Sequence, residues 1–254
     1  MPLRLCPPAR SFCLTLCISL VVSASHSAEP EIKTTNSRDG AVIFQTVCTQ
    51  CHGPKGEGNE QIKSPSIASL PHWYFKTQIQ NFREGRRGTD PTDTPGILMA
   101  AISKSLQPEQ LDALAAHIEA MPLVVPKPTA IQASADLENG RMLFQERCME
   151  CHRYNASGEL TFGSPPLVGR QDWYLAEQIR KFKSGKRGAA KHDVNGAKMV
   201  LSSQFIHDDE TLRDVVAYIH SLNEPFLADQ QPTSDPFAKD AKTETTTAEP
   251  KSTE

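Results

Sequence analysis

Aromatic side chains are scarce in this sequence, at 6% of 254 residues, and apolar residues of all kinds reach only 38%. A chain of this length has room for one or two domains, and that apolar supply is thin for two well-packed cores. Long apolar runs are missing too. The most apolar stretch, Phe12 to Val22 (FCLTLCISLVV), is 11 residues, short of the ~20 that a membrane-spanning helix needs. There is no excess of positive charge: a net −3 gives nucleic acid nothing to bind. No stretch alternates apolar and polar residues as a half-buried strand would. Nor are there spare cysteines. Cys6, Cys13 and Cys17 lie in the first 28 residues and the other four fall in two short motifs, so none is left for a disulfide or a reactive thiol.

Those motifs organise the chain. Cys48-Thr49-Gln50-Cys51-His52 is followed 100 positions later by Cys148-Met149-Glu150-Cys151-His152. This is C-x-x-C-H, the attachment signal for c-type haem. Two thiols three residues apart share one helical turn, where both can form thioethers to the vinyl groups on one porphyrin edge. The following imidazole, His52 or His152, then lies over the iron as proximal ligand. A thioredoxin-like pair would want one C-x-x-C in a β-α-β pattern, and a four-cysteine zinc site would place its pairs ~15–20 residues apart; neither pattern is present. Two covalently bound haem c groups are therefore expected, and their porphyrins would supply the apolar surface that the composition lacks.

Residues 1–28 read as an export signal: Arg4 and Arg10 form the basic region, Phe12 to Val22 the apolar one, and Ser23 to Ala28 offers small residues for cleavage. Cleavage after Ala24 puts Val22 at the minus-three position, and cleavage after Ala28 puts the less suitable His26 there; both sites stay open. Leu14-Thr15-Leu16-Cys17 has leucine where a lipoprotein signal wants a small residue. Export to the periplasm suits covalent haem, which is attached on the outer face of the bacterial inner membrane. The chain is expected to be peripheral to the membrane at most.

The halves align at an offset of 100 without a gap from Gly40/Gly140 to Met99/Met199, the signature of a duplicated domain rather than a solenoid. The expected division is signal 1–28, first domain 37–122, linker 123–135, second domain 136–227 and a disordered tail 228–254, poor in apolar residues. Pro126 and Pro128 hold the linker extended. Each half reads as helical, giving an all-α fold of two tandem domains. The first helix covers 39–48 or 139–148, the second 72–83 or 172–183, stopped by Gly85 and Gly88 or Gly185 and Gly188. The last carries Leu111, Leu114, Ala115, Ile118 and Met121, or Leu212, Val215, Val216, Ile219 and Leu222, at helical spacing. Pro108 and Asp208-Asp209-Glu210 mark its starts.

What fills the iron's other face decides the function. Met121 lies on an apolar helical stripe, Met142 in the first helix of its half, and Met149 inside the attachment motif. Met99 and Met199 each follow the first cysteine of their half by 51 residues, in what reads as a glycine-containing loop. They are the candidate sixth ligands, against the plainer role of filling a core gap. Histidine plus thioether closes the iron to substrate and favours the ferrous state, pointing to electron transfer rather than oxygen or peroxide chemistry.

The two C-x-x-C-H motifs, a later Met in each half, and the shared run Pro-x-aliphatic, Trp-Tyr, Gln-Ile, Phe, Gly and Arg-Gly resemble the class I cytochromes c over about residues 37–227. The tandem resembles the diheme cytochromes of the c-four type, and each half is similar to the cytochrome c domain of some haem-copper oxidase second subunits. The resemblance implies that the Pro65 or Pro165 carbonyl accepts a hydrogen bond from the proximal histidine. It implies that Gly40 with Phe44, and Gly140 with Phe144, sit where the first and last helices cross. Trp73, Tyr74, Arg87, Trp173, Tyr174 and Arg187 would lie near the propionates, although the arginines read equally well as cations at a helix end. Two departures stand out. Arg153 replaces the usual glycine after the motif, present as Gly53, and His117 stands where Tyr218 supplies the usual aromatic. His117 reads as a packing residue, or as a stray ligand if Met99 is displaced.

The function expected is a non-catalytic diheme electron carrier, working between a quinol-oxidising complex or a dehydrogenase and a terminal oxidase. Alternatives are a fixed subunit of a respiratory complex, or a diheme redox enzyme of the peroxidase or thiosulfate-oxidising type.

Overall fold

The computed structural model describes residues 39–129 and 132–230; the expected export signal, with Cys6, Cys13 and Cys17, and the tail beyond Gln230 lie outside them. The regular structure of the described residues is helical, and their only β pairings are single bridges, Asn59 with Ser64 and Glu159 with Ser164. No described helix is long and apolar enough to cross a membrane.

Each half repeats one order of elements. Asp39 opens the first by accepting from the Ala41 N–H, and α1 (Gly40–Ile43) runs through a π-helical turn, Phe44–Cys48, into α2 (Thr49–His52). Then come α3 (His72–Arg83), α4 (Thr94–Ser105), a 3-10 turn at Pro108–Gln110 and α5 (Leu111–Ala120). The second half has α6 (Leu137–Arg147), α7 (Met149–His152), α8 (Asp172–Lys183), α9 (Val194–Ser203), α10 (Asp209–Ser221) and α11 (Asn223–Gln230). The second helix of each half has the bounds expected from its spacing. Helix α11 departs from expectation, since it carries regular structure to Gln230 rather than yielding to tail at residue 228.

First and last helices of each half cross at a glycine. A Cβ on Gly40 would lie 2.0 Å from the Ala113 carbonyl oxygen, and one on Gly140 2.1 Å from that of Asp214; no other residue fits. One turn on, Phe44 meets the His117 ring at 5.3 Å and Phe144 meets Tyr218 at 5.6 Å. His117 is thus a packing residue, occupying the place of the tyrosine.

Around these crossings form two cores. The first gathers Ile43, Phe44, Phe75, Ile79, Leu111, Leu114 and Ile118, with Cys48, Tyr74, Met99 and Met121 packed against it. The second gathers Phe144, Val168, Leu175, Leu212, Val215, Val216 and Ile219, with Cys148 and Met149 against it. Fully buried aliphatics such as Leu114, Ile118 and Val216 each contribute about 1.5–3 kcal/mol.

The linker has no regular structure over residues 122–129, turns at 132–134, and is fastened to the second half. The Asp172 carboxylate, with no exposed surface, accepts from the Thr129 N–H and hydroxyl and from Gln132 Nε2 at 2.8–2.9 Å. His220 Nε2 lies 2.9 Å from the Pro126 carbonyl oxygen.

Candidate functional site

In both halves the C-x-x-C-H motif forms the end of the first helical segment, so its two thiols and its imidazole share adjacent turns. The π turn in the first half ends at Cys48, whereas Cys148 interrupts the second at φ −119°. Beyond the histidine the backbone turns sharply, at φ 78° in Gly53 and φ 65° in Arg153, and returns beneath the ring. Gly58 and Gly158 make the return possible: a Cβ there would lie 2.6 Å from the Pro65 carbonyl carbon or 2.5 Å from that of Pro165.

The histidines are held in one orientation. His52 Nδ1 lies 2.7 Å from the Pro65 carbonyl oxygen and His152 Nδ1 3.0 Å from that of Pro165. A carbonyl can only accept, so Nδ1 carries the hydrogen and Nε2 keeps its lone pair. Burial lowers both imidazoles below their ordinary value, against the opposing effect of those hydrogen bonds. A neutral, oriented imidazole with Nε2 free is what an iron ligand requires.

Of the four motif cysteines, Cys51 is exposed and the others are partly buried. Burial, then the neighbouring Cys51, pushes the Cys48 thiol up to about 11; burial and Cys151 push Cys148 to about 12. Thiol–disulfide exchange needs a thiolate, so Cys48 and Cys148 are unsuited as attacking thiols.

Met99 and Met199 are not in loops. They lie on α4 and α9, both half-buried. Asp93 starts α4 by accepting from the Gly96 N–H at 3.0 Å, and Asp193 does the same for α9 at 2.9 Å. The glycines that suggested loops sit inside first turns, where an Asp cap outweighs their low helix propensity. The signal was present in Asp93-Thr94-Pro95-Gly96, a capping residue followed by a proline in the first turn. The structure brings Met99, Cys48 and Tyr74 onto one core, while Met199 is half-buried on α9.

The aromatic and basic residues of the shared run meet between the halves. Arg87 donates to Gln78 of its own half and to Tyr174 and Gln178 of the other, at 2.8–3.1 Å. Arg187 donates to Gln178, Tyr74 and Gln78 in return, at 2.7–3.1 Å. Each guanidinium lies 4.5 Å from a phenylalanine centroid, Phe82 or Phe182. Trp73 and Trp173 stand edge-on to Tyr74 and Tyr174. Arg170 adds a third arginine, buried like Arg187; it donates to backbone carbonyls, and burial lowers it to about 10. Burial alone would raise the Tyr174 phenol, but Arg87 and Arg187 outweigh it and bring it to about 8.

The donor set fits a haem in each half. It offers two thiols on one turn, an imidazole with a free Nε2, and a half-buried thioether on a separate helix. The three arginines hydrogen-bond to amides, phenols and carbonyls, so their charge suits the carboxylates of propionates. Apolar side chains are left outside the cores on the methionine helices: Ile97, Leu98 and Ile102 on α4, Val194 and Leu201 on α9. A porphyrin would cover such surface.

Comparison with known proteins agrees with this geometry. The cytochrome c family model matches residues 37–122 and 137–223. The cbb3-type cytochrome c oxidase subunit CcoP of Rhodobacter capsulatus is 29% identical over 208 residues, covering 77% of this chain and 65% of that protein. The chain thus spans just under two thirds of that relative's length. A thiosulfate dehydrogenase electron acceptor of Stutzerimonas stutzeri is 30% identical over 169 residues, covering 63% of this chain and 74% of the other. Reduced cytochrome c4 from Pseudomonas stutzeri superposes with a TM-score of 0.57 at 22% identity, over 71% of this chain and 95% of that one, a likeness of fold. With matching models over both halves, and the same motif, histidine contact and helix crossing in each, the chain belongs to the cytochrome c family as a tandem of two such domains.

Proposed function

We propose that the chain is a periplasmic diheme electron carrier. In this reading Cys48, Cys51, Cys148 and Cys151 hold two haem c groups covalently, His52 and His152 bind the irons on one side, and Met99 and Met199 close the other. One arrangement, present twice, supports it best: a C-x-x-C-H turn whose buried histidine has Nδ1 tied to a proline carbonyl and Nε2 free. When bound, the haem supplies a one-electron iron couple. The chain's own residues orient the imidazole, exclude water from the proximal side and present cations to the propionates.

Electrons would enter from a quinol-oxidising complex or a dehydrogenase and leave to a terminal oxidase through weak, short-lived docking. Similarity to a thiosulfate dehydrogenase electron acceptor supports a dehydrogenase as donor. Similarity to the oxidase subunit CcoP supports a second reading, a respiratory-complex subunit; co-purification with membranes would separate that from a free carrier. A diheme enzyme needs an iron with an open or exchangeable position, against which a methionine in each half argues.

Mass spectrometry of the exported protein is expected to find two haem groups beyond the polypeptide mass. The oxidised spectrum should lose its near-infrared methionine-to-iron absorption when Met99 and Met199 are both replaced by His. Carbon monoxide binding by the reduced native protein would favour the enzyme instead.

A further inference from the structure

The contact between the halves is two-fold symmetric at its centre, where Arg87 and Arg187 exchange partners, and one-sided around it. Around it, the hydrogen bonds to backbone groups across the contact come from side chains of the second half, and two lysines of that half reach acceptors on the first. Arg170 donates through Nη1 to the Ser66 carbonyl and through Nη2 to the Ala68 carbonyl, at 2.6 Å each. Gln171 accepts from the Ser66 N–H at 2.8 Å and donates to the Glu57 carbonyl at 2.6 Å. Lys181 Nζ lies 2.7 Å from Asp93 Oδ1, the two side chains only 11% and 6% exposed, and Lys186 Nζ reaches Thr92 Oγ1 at 2.6 Å.

The first half returns only the Lys63 ammonium, 5.0 Å from the centroid of the Trp173 ring and away from the supports of either iron ligand of the second half. At the places of Arg170, Gln171 and Lys181 it has Leu70, Pro71 and Asn81. Leucine and proline bring no polar side chain, and Asn81 Oδ1 is taken by Arg86 of its own half at 2.7 Å. The target differs as well: Ser66 presents an N–H to Gln171, whereas its counterpart Pro166 has none.

The gripped groups are the supports of the first half's candidate iron ligands. Ser66 follows Pro65, whose carbonyl holds the His52 ring. Asp93 caps α4, the helix of Met99, with the same Oδ1 that receives Lys181. Asp193, which caps the helix of Met199, accepts from Gly196 and receives no lysine from the first half. Buried, charge-assisted bonds hold their partners in fixed geometry more firmly than neutral ones.

We propose that Arg170, Gln171 and Lys181 are positioning residues for the axial ligands of the first half, so that only the first iron's coordination depends on the contact between the halves. The proposal rests on the ligand assignment made above.

The test uses the full haem-loaded protein in two backgrounds. With Met199→His, methionine-to-iron absorption reports the first iron alone; with Met99→His, it reports the second. Arg170→Leu and Lys181→Asn, which install the first half's own residues, are added singly and together, and imidazole is titrated against the ferric protein. In the double variant the methionine of the first iron is expected to yield at about tenfold lower imidazole, an equilibrium change of about 1.4 kcal/mol, with the second iron unmoved. Lys181→Arg should keep the wild-type response. An equal change at both irons, or none at either, overturns the proposal. If the double variant does not fold, Lys181→Asn alone is judged by the same outcomes. Methionine absorption that survives replacing both Met99 and Met199 would instead overturn the ligand assignment.

Discussion

Arg153 occupies a backbone conformation, φ 65° and ψ 161°, that its counterpart Gly53 adopts at φ 78° and ψ 159°. A side chain there costs on the order of 1–3 kcal/mol. Its ion pair with Glu159 at 2.8 Å, with Arg153 57% exposed, is screened by solvent and returns little. Strain outweighs the pair, so Arg153→Gly should stabilise the second half by about 1 kcal/mol, read as a higher denaturant midpoint. The substitution at this place was visible in the sequence as a departure from the repeat. That the turn would persist despite it was not, because the return of the chain beneath His152 is a tertiary demand. Tyr174 gives a second residue-level test. Its phenol stands at about 8 because of Arg87 and Arg187, and propionates beside those cations would restore it toward its ordinary value of about 10. Ultraviolet titration of the loaded protein, compared with Tyr174→Phe, should therefore show this phenol ionising well above pH 8. Were it to stay at about 8, folding stability would rise between pH 8 and 10 as the unfolded chain keeps the proton longer, and the propionates would have to lie elsewhere.

Helices α4 and α9 were hidden in the sequence behind their glycines, while α3 and α8 could be read to the residue from their apolar spacing. The difference is physical. Both hidden helices turn many apolar side chains outward, among them Leu98 at 61% and Leu201 at 72% exposure, which blurs the amphipathic pattern when no porphyrin is counted as core. Their caps can be ranked. Asp193→Ala removes one cap bond and is expected to cost about 1 kcal/mol. Asp93→Ala removes the same bond and also breaks the buried pair with Lys181, which keeps only the Glu177 carboxylate at 3.6 Å; the loss should exceed that of Asp193→Ala and stay below the about 3–5 kcal/mol of a buried charge left wholly unpaired. Thermal denaturation of the two variants side by side checks the order. Equal losses would mean that Glu177 takes up the Lys181 ammonium in full.

Across the molecule, the duplication and both attachment motifs were plain in the sequence, since each is carried by residues that repeat. The bonds between the halves were not, because Arg170, Gln171 and Lys181 are places where the repeat fails. The linker shows the same limit: Pro126 and Pro128 announced an extended segment, but its fastening depends on Asp172, matched in the first half by His72. Asp172→Ala withdraws the acceptor of three linker donors. It should open the linker to a protease of broad specificity, so that limited digestion with proteinase K separates the halves sooner than in the wild type; an unchanged digestion pattern would mean that the His220 contact with the Pro126 carbonyl holds the linker unaided.

Arg170 grips Ser66 from 104 positions further along the chain, and Gln171 grips it from 105. Translation therefore delivers the amino-terminal lobe before the side chains that brace it have been made. That lobe must meet its porphyrin unbraced or wait for its sibling, whereas the carboxy-terminal lobe emerges beside a partner already synthesised.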